Sequence, residues 1–286
     1  MSETAISVRD LRKAYGPLEA VRGVSFDVGR GEVFGLLGPN GAGKTTTVEI
    51  LEGYRRRSSG EVSVLGRDPE CRDRELREKV GIVLQSTGAY PRATVREAVE
   101  HFAGIYPHPR DPHETIGLVG LEGKEDARTA ELSGGQRRRL DLALALVGDP
   151  ELIFLDEPTT GFDPAARRAA WGVVERLKEL GKTVLLTTHY LDEAQALADR
   201  VAIVKDGEIV AQGPPAELSS GRARYRVAYD SGDKRVEHET DDPTDLLHRL
   251  TGDALARGAQ LDGLTVARPT LEEVYLELTA EQEAES

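Results

Sequence analysis

A glycine-rich segment that ends in a lysine and a hydroxyl residue occurs early in the chain, as GPNGAGKT at residues 38–45. It matches G-x-x-x-x-G-K-[ST], a pattern in which backbone N–H groups surround phosphate oxygens and a following helix adds its positive end. In this pattern Lys44 reaches the β- and γ-phosphates of a nucleotide, and Thr45 binds Mg²⁺. An unrelated glycine-rich turn is disfavoured, because a strand pattern precedes the segment and a helix pattern follows it. The predicted phosphate site comprises Gly38, Pro39, Asn40, Gly41, Ala42, Gly43, Lys44, Thr45 and Thr46.

Two adjacent acids follow an apolar run, LIFL, at residues 152–155. A carboxylate at the end of a buried strand can hold Mg²⁺ through water, which is the role predicted for Asp156. The next carboxylate, Glu157, can polarise the attacking water. Taken alone, a strand followed by two solvated acids would be the simpler interpretation. Beside the phosphate loop, the catalytic interpretation is favoured.

A second glycine-containing helix start lies at residues 132–136, with the sequence LSGGQ. Ser133 and two glycines open a helical pattern, so the chain holds a second place where a helix N-terminus could receive an anion. The sequence alone does not place this segment on the same nucleotide as the phosphate loop. An ordinary serine N-cap with a flexible turn is the alternative.

The elements that must position these motifs alternate between strands and helices. Short apolar runs typical of buried strands occur at Val33–Leu37, at residues 152–155 and at residues 183–187, and a hairpin is predicted around Asp206-Gly207. Buried apolar strands separated by helices predict an α/β fold with a mostly parallel sheet covered on both faces. Residues 92–147 are predicted to form a separate helical lobe.

The overall composition is that of a globular protein. The 286 residues are 39% apolar and 30% charged, with a net charge of −13, which argues against a basic nucleic-acid-binding surface, so no nucleic-acid partner is expected. Cys71 is the only cysteine, which excludes an intrachain disulfide and favours a reducing, cytoplasmic compartment. Apolar runs fall far short of the roughly 20 residues that cross a bilayer.

A change of composition near residues 213–221 predicts two domains, a nucleotide-binding domain at residues 1–220 and a small acidic α+β domain at residues 221–286. The second segment holds 15 acidic and 8 basic side chains. Its predicted elements are a strand around residues 225–229, a helix at 244–250, a strand at 264–267 and a terminal amphipathic helix. The apolar stripe of that helix comprises Leu271, Val274, Tyr275 and Leu278, after a capping-box pair, Thr270 and Glu273.

Over about residues 4–220 the chain resembles the ATPase subunits of ATP-binding cassette (ABC) transporters. LSGGQ is the signature of that family letter for letter, and the other motifs follow in order. The resemblance implies that Tyr15 stacks on adenine, that Gln85 contacts Mg²⁺ and the transmembrane partner, that Asp163 lies in the loop called the D-loop, and that His189 contacts the γ-phosphate. Phe162 stands where leucine is commoner in the family.

The resemblance also implies a mechanism. Two such subunits would sandwich two ATP molecules, with ATP and Mg²⁺ as cofactors, each between the Lys44 loop of one subunit and Ser133, Gly135 and Gln136 of the other. Hydrolysis would open the sandwich and drive a membrane permease.

A finer resemblance rests on QRRRLDLA at residues 136–143 and PTLEEVY at residues 269–275. Both segments are similar to the drug-resistance branch of bacterial exporters, whose permease is a separate polypeptide. The expected function is therefore an exporter ATPase for drugs or antibiotics, acting as a dimer on the inner face of the cell membrane through its permease.

Three other cassette ATPases are weighed as alternatives. A DNA-repair ATPase usually has a large insertion, and a translation factor typically has two cassettes. A soluble assembly-scaffold ATPase is the alternative that the sequence excludes least well.

Three other features of the sequence are given no functional role. His101, His108 and His113 share no helix face and lie among prolines, which favours solvated loop residues over a metal site. The arginines at residues 137–139 point in different directions on a helix, which argues against a nucleic-acid patch. Trp171 is interpreted as a core or domain-contact residue.

Overall fold

The computed structural model describes residues 3–83, 92–221, 225–231, 234–267 and 275. Contacts within the chain divide it into two compact units, Met1–Gln212 and Gly213–Ser286. The organisation into two domains with a boundary near residue 220 stays a prediction.

The strands of the first unit fall into two sheets. They are β1 (Thr4–Tyr15), β2 (Leu18–Gly29), β3 (Val33–Leu37), β4 (Ser59–Val64), β5 (Val80–Val83), β6 (Leu152–Asp156), β7 (Thr183–Thr188), β8 (Arg200–Lys205) and β9 (Glu208–Gly213). The helices are α1 (Lys44–Leu51), α2 (Arg74–Glu78), α3 (Val95–Ala103), α4 (Pro112–Leu118), α5 (Gly134–Leu146), α6 (Pro164–Glu179) and α7 (Leu191–Leu197), with 3-10 turns at Pro69–Cys71 and Thr129–Glu131.

The six-stranded sheet has the order β5-β6-β7-β3-β8-β9. Its four pairs from β5 to β8 are parallel, which confirms the predicted mostly parallel sheet. The carboxyl ends of parallel strands meet at one edge of a sheet, so the loops after β3, β6 and β7 emerge side by side. The central strand, β7, lies between the strands that carry the phosphate loop and the two acids.

An antiparallel sheet of order β2-β1-β4 was not predicted from the sequence. Four register shifts along the β1–β2 pair break the alternation of apolar and polar residues by which strands are recognised. The sheet buries Ile6, Val8 and Phe26 in one apolar core with β3, where the Phe26 and Phe34 rings stack 5.2 Å apart. It therefore covers one face of the larger sheet.

A second apolar core contains the helices predicted for residues 92–147. There α3, α4 and α5 pack together with α6 and with β5, β6 and β7. Thr94 begins α3 with a capping box, in which its side chain and that of Glu97 each accept the other's backbone N–H. The signature segment lies at the start of α5, in the same lobe.

The second unit contains α8 (Pro215–Gly221), β10 (Tyr225–Ser231), β11 (Lys234–Thr240), α9 (Pro243–Ala256) and β12 (Asp262–Ala267). Its sheet has the order β11-β10-β12 and both pairs are antiparallel. The strands around 225–229 and 264–267 and the helix at 244–250 are confirmed, whereas the strongly charged β11 was not predicted. The expected terminal helix falls almost wholly outside the described residues; Tyr275, the one described residue in it, is helical. No helix among the described residues is long and apolar enough to span a membrane.

Candidate functional site

The phosphate loop begins where β3 ends, and two of its glycines are required by close backbone approaches. A Cβ on Gly38 would lie 2.2 Å from the carbonyl oxygen of Val204. Gly43 has a φ of +98°, and a Cβ there would lie 2.4 Å from the carbonyl oxygen of Ala20. Gly41 also has a positive φ, of +83°, but faces open space. The loop backbone therefore packs closely against neighbouring backbone at Gly38 and Gly43, and it faces open space at Gly41.

Lys44 is the first residue of α1 and is only 4% exposed. Its Nζ donates hydrogen bonds to the carbonyl oxygens of Gly38, at 2.8 Å, and Pro39, at 3.0 Å. Burial lowers the pKa of Lys44, and the carboxylates of Glu157 and Asp156 oppose that shift. The ammonium is thus held inside the loop with two carboxylates nearby.

The N-terminus of α1 is a suitable anion site. Its N-cap, Gly43, offers no side chain to cap the first turn. Thr45 is exposed and Thr46 half-buried in this first turn. Free backbone N–H groups at a helix N-terminus beside a buried lysine are suited to phosphate. The residues present therefore fit the predicted ligand.

Asp156 and Glu157 are positioned by a hydroxyl that the sequence analysis did not single out. The Oγ1 of Thr187, a fully buried residue of β7, donates to Asp156 Oδ1 at 2.5 Å and accepts from the Glu157 N–H at 3.0 Å. Arg138 adds a hydrogen bond to the Asp156 carbonyl oxygen at 2.9 Å. Within a buried β-branched strand, Thr187 is indistinguishable by pattern from a residue that only packs.

The side chain of Glu157 is oriented from two loops. His189 Nδ1 lies 3.3 Å from Glu157 Oε1, and Thr160 Oγ1 donates to Glu157 Oε2 at 3.0 Å. These two contacts hold the Glu157 side chain between the loops that follow β6 and β7. The structure thus brings Lys44, Asp156, Glu157 and His189 to the same edge of the sheet.

A half-buried acid at the end of α1, Glu52, was also missed by the sequence analysis. It caps the C-terminus of α1. Burial raises its pKa to about 8, and the charges of Asp156 and Glu49 add to the rise. A carboxyl group close to the candidate metal ligand is therefore held largely protonated at neutral pH.

The signature segment forms a capped helix start. Ser133 is the N-cap of α5; its N–H donates to Gln136 Oε1 at 2.9 Å, and its Oγ accepts from the Gln136 N–H at 3.3 Å. Ser133 and Gly135 line a cleft together with Glu157 and Asp163, and that lining includes no residue of the 38–45 loop among the described residues. Both interpretations of the segment, serine cap and anion site, remain compatible with this geometry.

Three predicted site residues remain, Asp163, Tyr15 and Gln85. Asp163 is the N-cap of α6, where Oδ1 accepts from the N–H groups of Ala165 and Ala166, both at 2.9 Å. Tyr15 ends β1 and is 38% exposed, with Lys13 Nζ 5.0 Å and Arg55 Cζ 5.5 Å from its ring centroid. Gln85 lies outside the described residues. The roles of all three stay predictions.

A phosphate loop at the end of one parallel strand, with a carboxylate pair at the end of another, defines a nucleotide-hydrolysing α/β enzyme. Comparison with known proteins narrows this class. The family model described as "ABC transporter" matches residues 21–160. A Nod factor export ATP-binding protein I from Burkholderia orbicola is 39% identical over 271 residues, spanning 93% of this chain and 86% of the relative. The chain belongs to the ATP-binding subunits of ABC transporters.

Two solved structures agree with this assignment. An ATP-binding subunit of an ABC transporter, 25% identical, has a TM-score of 0.70 over 96% of this chain and 99% of that one. A dimeric ATP-binding cassette in a post-hydrolysis state, bound to ADP and Pi and 26% identical, has a TM-score of 0.64 over 73% of this chain and 98% of that one. The chain is therefore an ATP-hydrolysing cassette.

Proposed function

We propose that this chain powers a membrane exporter by hydrolysing ATP at the cluster of Lys44, Asp156, Glu157 and His189. The observation that carries the proposal is the pair of hydrogen bonds by which Thr187 joins Asp156 to Glu157, next to the buried Lys44. Such an arrangement suits a reaction in which charge on transferring phosphate is stabilised while water is polarised.

Each residue has a separate task in this proposal. Lys44 binds the β- and γ-phosphates, Glu157 polarises the attacking water, and His189 contacts the γ-phosphate and orients Glu157. Thr45, Gln85 and Asp156 would hold Mg²⁺, directly or through water. The ion would supply positive charge against the phosphate oxygens.

The cleft at the start of α5 supports a composite site. It joins Ser133 and Gly135 to Glu157 and Asp163 but contains no described residue of the chain's own phosphate loop. A helix start that opens onto a cleft with no described residue of its own phosphate loop is suited to the nucleotide held by a second subunit. We infer that Ser133, Gly135 and Gln136 bind the partner's ATP, that Asp163 lies at the same interface, and that Tyr15 stacks on adenine.

The composite site is tested by mixing two inactive chains. Ser133→Arg places bulk and charge at the partner's phosphates, and Lys44→Ala removes the charge of the phosphate loop. Neither variant alone can form an intact site, but a mixed dimer contains one site with both halves intact. Recovery of ATPase activity on mixing is expected; activity of Ser133→Arg equal to that of the unchanged protein would contradict the role in the partner's site.

A cleft beside β5 supports a separate permease as partner. Val80 and Ile82 of this strand line it together with Glu52, Arg72 and Tyr106. Gln85, the residue implied to contact the transmembrane subunit, follows two positions after β5 ends. The permease would thus bind next to the segment that contains Gln85, the residue implied to contact Mg²⁺ as well.

Export is supported by the relatives, whose names describe Nod factor export, and by the resemblance of residues 136–143 to drug-resistance exporters. We infer that the chain works on the inner face of the cell membrane, and that the permease selects the substrate, a drug or antibiotic in this proposal. Co-purification with a membrane permease, followed by efflux measurements from cells with and without Lys44→Ala, tests it. A stable complex with a soluble assembly protein instead would support the scaffold alternative.

A further inference from the structure

Glu193, on α7, is a completely buried acid that no step of the proposed reaction uses. Its exposed fraction is 0%. Burying a carboxylate is costly unless donors surround it, so such a residue requires a structural or functional reason. Four residues before it lies His189.

Donors from separate segments converge on this carboxylate. Thr159 Oγ1 donates to Glu193 Oε1 at 2.8 Å, and Trp171 Nε1 donates to the same oxygen at 3.2 Å. Thr188, the residue before His189, is a further hydrogen-bond partner. Oε2 has no hydrogen-bond partner among the described residues. Burial raises the pKa of Glu193, and the hydrogen bonds from Thr188, Thr159 and Trp171 oppose the rise.

These donors belong to the segments that carry the two groups of the candidate catalytic pair. Thr159 lies two residues after Glu157, and Thr188 lies directly before His189. The 3.3 Å contact between His189 Nδ1 and Glu157 Oε1 depends on how these two segments sit relative to each other. The buried carboxylate of Glu193 therefore connects the segment that carries Glu157 with the segment that carries His189.

Helix α6 fixes the same region through a second contact. Arg167, one helical turn before Trp171, lies with Cζ 4.2 Å from the ring centroid of Tyr190 and donates to Asp192 Oδ2 at 3.1 Å. The Tyr190 ring in turn lies 4.1 Å from the His189 ring. Arg167 of α6 thus contacts Tyr190 and Asp192, which lie between His189 and Glu193 in the chain.

We propose that Glu193 is a positioning residue for ATP hydrolysis, which holds the loops after β6 and β7 in the register that brings His189 to Glu157. This inference rests on the proposed roles of those two residues. A displacement of about 1 Å between reacting groups can cost on the order of 10²-fold in rate. Loss of the carboxylate should therefore lower kcat and leave ATP binding at the Lys44 loop intact.

The test compares purified full-length variants in a steady-state ATPase assay. Glu193→Ala is expected to lower kcat by about 10²-fold, with KM for ATP within about threefold of the unchanged value. Glu193→Gln keeps an acceptor oxygen for Thr159 and Trp171 and is expected to stay within about fivefold in kcat. A folded Glu193→Ala with kcat within about twofold, or a Glu193→Gln as impaired as Glu193→Ala, would overturn the proposal.

Two milder variants decide the matter if Glu193→Ala does not fold. Thr159→Val removes one donor at nearly constant size, and Trp171→Phe removes the other and leaves a smaller ring; each is expected to lower kcat by about tenfold. Thr115→Val is the matched control, since Thr115 is equally buried and donates to the Asp111 carbonyl oxygen at 2.8 Å in the helical lobe. If both variants keep the kcat of the control, the proposal is overturned.

Glu157→Gln in the same assay separates this inference from the proposed function. Full activity in Glu157→Gln would refute the role of Glu157 itself. An inactive Glu157→Gln beside fully active Glu193, Thr159 and Trp171 variants would refute only the positioning role.

Discussion

Removal of a single hydroxyl, in Thr187→Val, should disturb both carboxylates of the site at almost unchanged volume. The hydroxyl donates to Asp156 and accepts from the Glu157 N–H. A hydrogen bond to a charged group contributes about 1.5–3 kcal/mol and one between neutral groups about 1 kcal/mol. Because Thr187 is fully buried, water does not replace either partner, so a loss of roughly 2–4 kcal/mol in unfolding free energy is expected.

The same substitution should reduce catalysis. Without the hydroxyl, Asp156 and Glu157 lose their common support, and kcat is expected to fall by about 10–10²-fold. Thr187→Ser, which restores the hydroxyl, should recover most of the rate. Denaturant unfolding measures the stability and a steady-state ATPase assay at saturating ATP and Mg²⁺ measures kcat.

Thr183→Val is the matched control on the same strand. Thr183 is 2% exposed, and its Oγ1 accepts from the Gly31 N–H at 3.0 Å, at the end of β7 away from the site. This variant should lose about 1 kcal/mol of stability and keep its kcat. Equal kcat values for folded Thr187→Val and Thr183→Val would show that the Thr187 hydroxyl does not support the two carboxylates.

Three further predictions follow from the structure. Because burial raises the pKa of Glu52 from 4.5 to about 8, unfolding releases a proton between these pH values, and stability should fall as the pH rises through this window. Glu52→Gln should abolish this fall and add at most roughly 3 kcal/mol to the unfolding free energy at pH 7, measured by denaturant unfolding. A pH profile of stability that is the same in Glu52→Gln and in the unchanged chain would contradict this expectation. Gly38→Ala places a Cβ against a backbone oxygen and should weaken ATP binding, measured by titration, by about tenfold or more. Gly172→Ala, in open space on α6, is the control and should add about 0.5–1 kcal/mol of stability. Equal ATP affinity in the two variants would show that the loop tolerates the added atom. A chain truncated after residue 220 should unfold cooperatively by circular dichroism and bind ATP, with altered dimerisation or ATPase activity; loss of cooperative unfolding would place the domain boundary elsewhere.

The sequence was informative where chemistry depends on local spacing. The loop at residues 38–45, the acids after β6 and the signature at the start of α5 each appear as contiguous motifs, and the parallel sheet that brings the first two together follows from buried apolar strands. The position of His189 was inferred from the family resemblance, and the structure places its ring 3.3 Å from Glu157.

The strands and site residues that the sequence analysis missed depend on contacts between segments that are distant in the chain. Register shifts concealed β1 and β2, and strong charge concealed β11. Thr187 resembles any β-branched strand residue, and Glu193 resembles a surface acid on a helix, until the fold places donors around them. A buried polar residue is recognised by its partners, which no single-sequence pattern records.

We propose above that Glu157, beside Lys44 and Asp156, polarises the water that attacks ATP. The most direct measurement is ATP turnover by purified Glu157→Gln and by the unchanged chain, with ATP binding determined in parallel. We expect the unchanged chain to hydrolyse ATP only with Mg²⁺ or a similar ion, and Glu157→Gln to bind ATP but lose about 10²–10⁴-fold in turnover. Turnover by Glu157→Gln near that of the unchanged chain would contradict it.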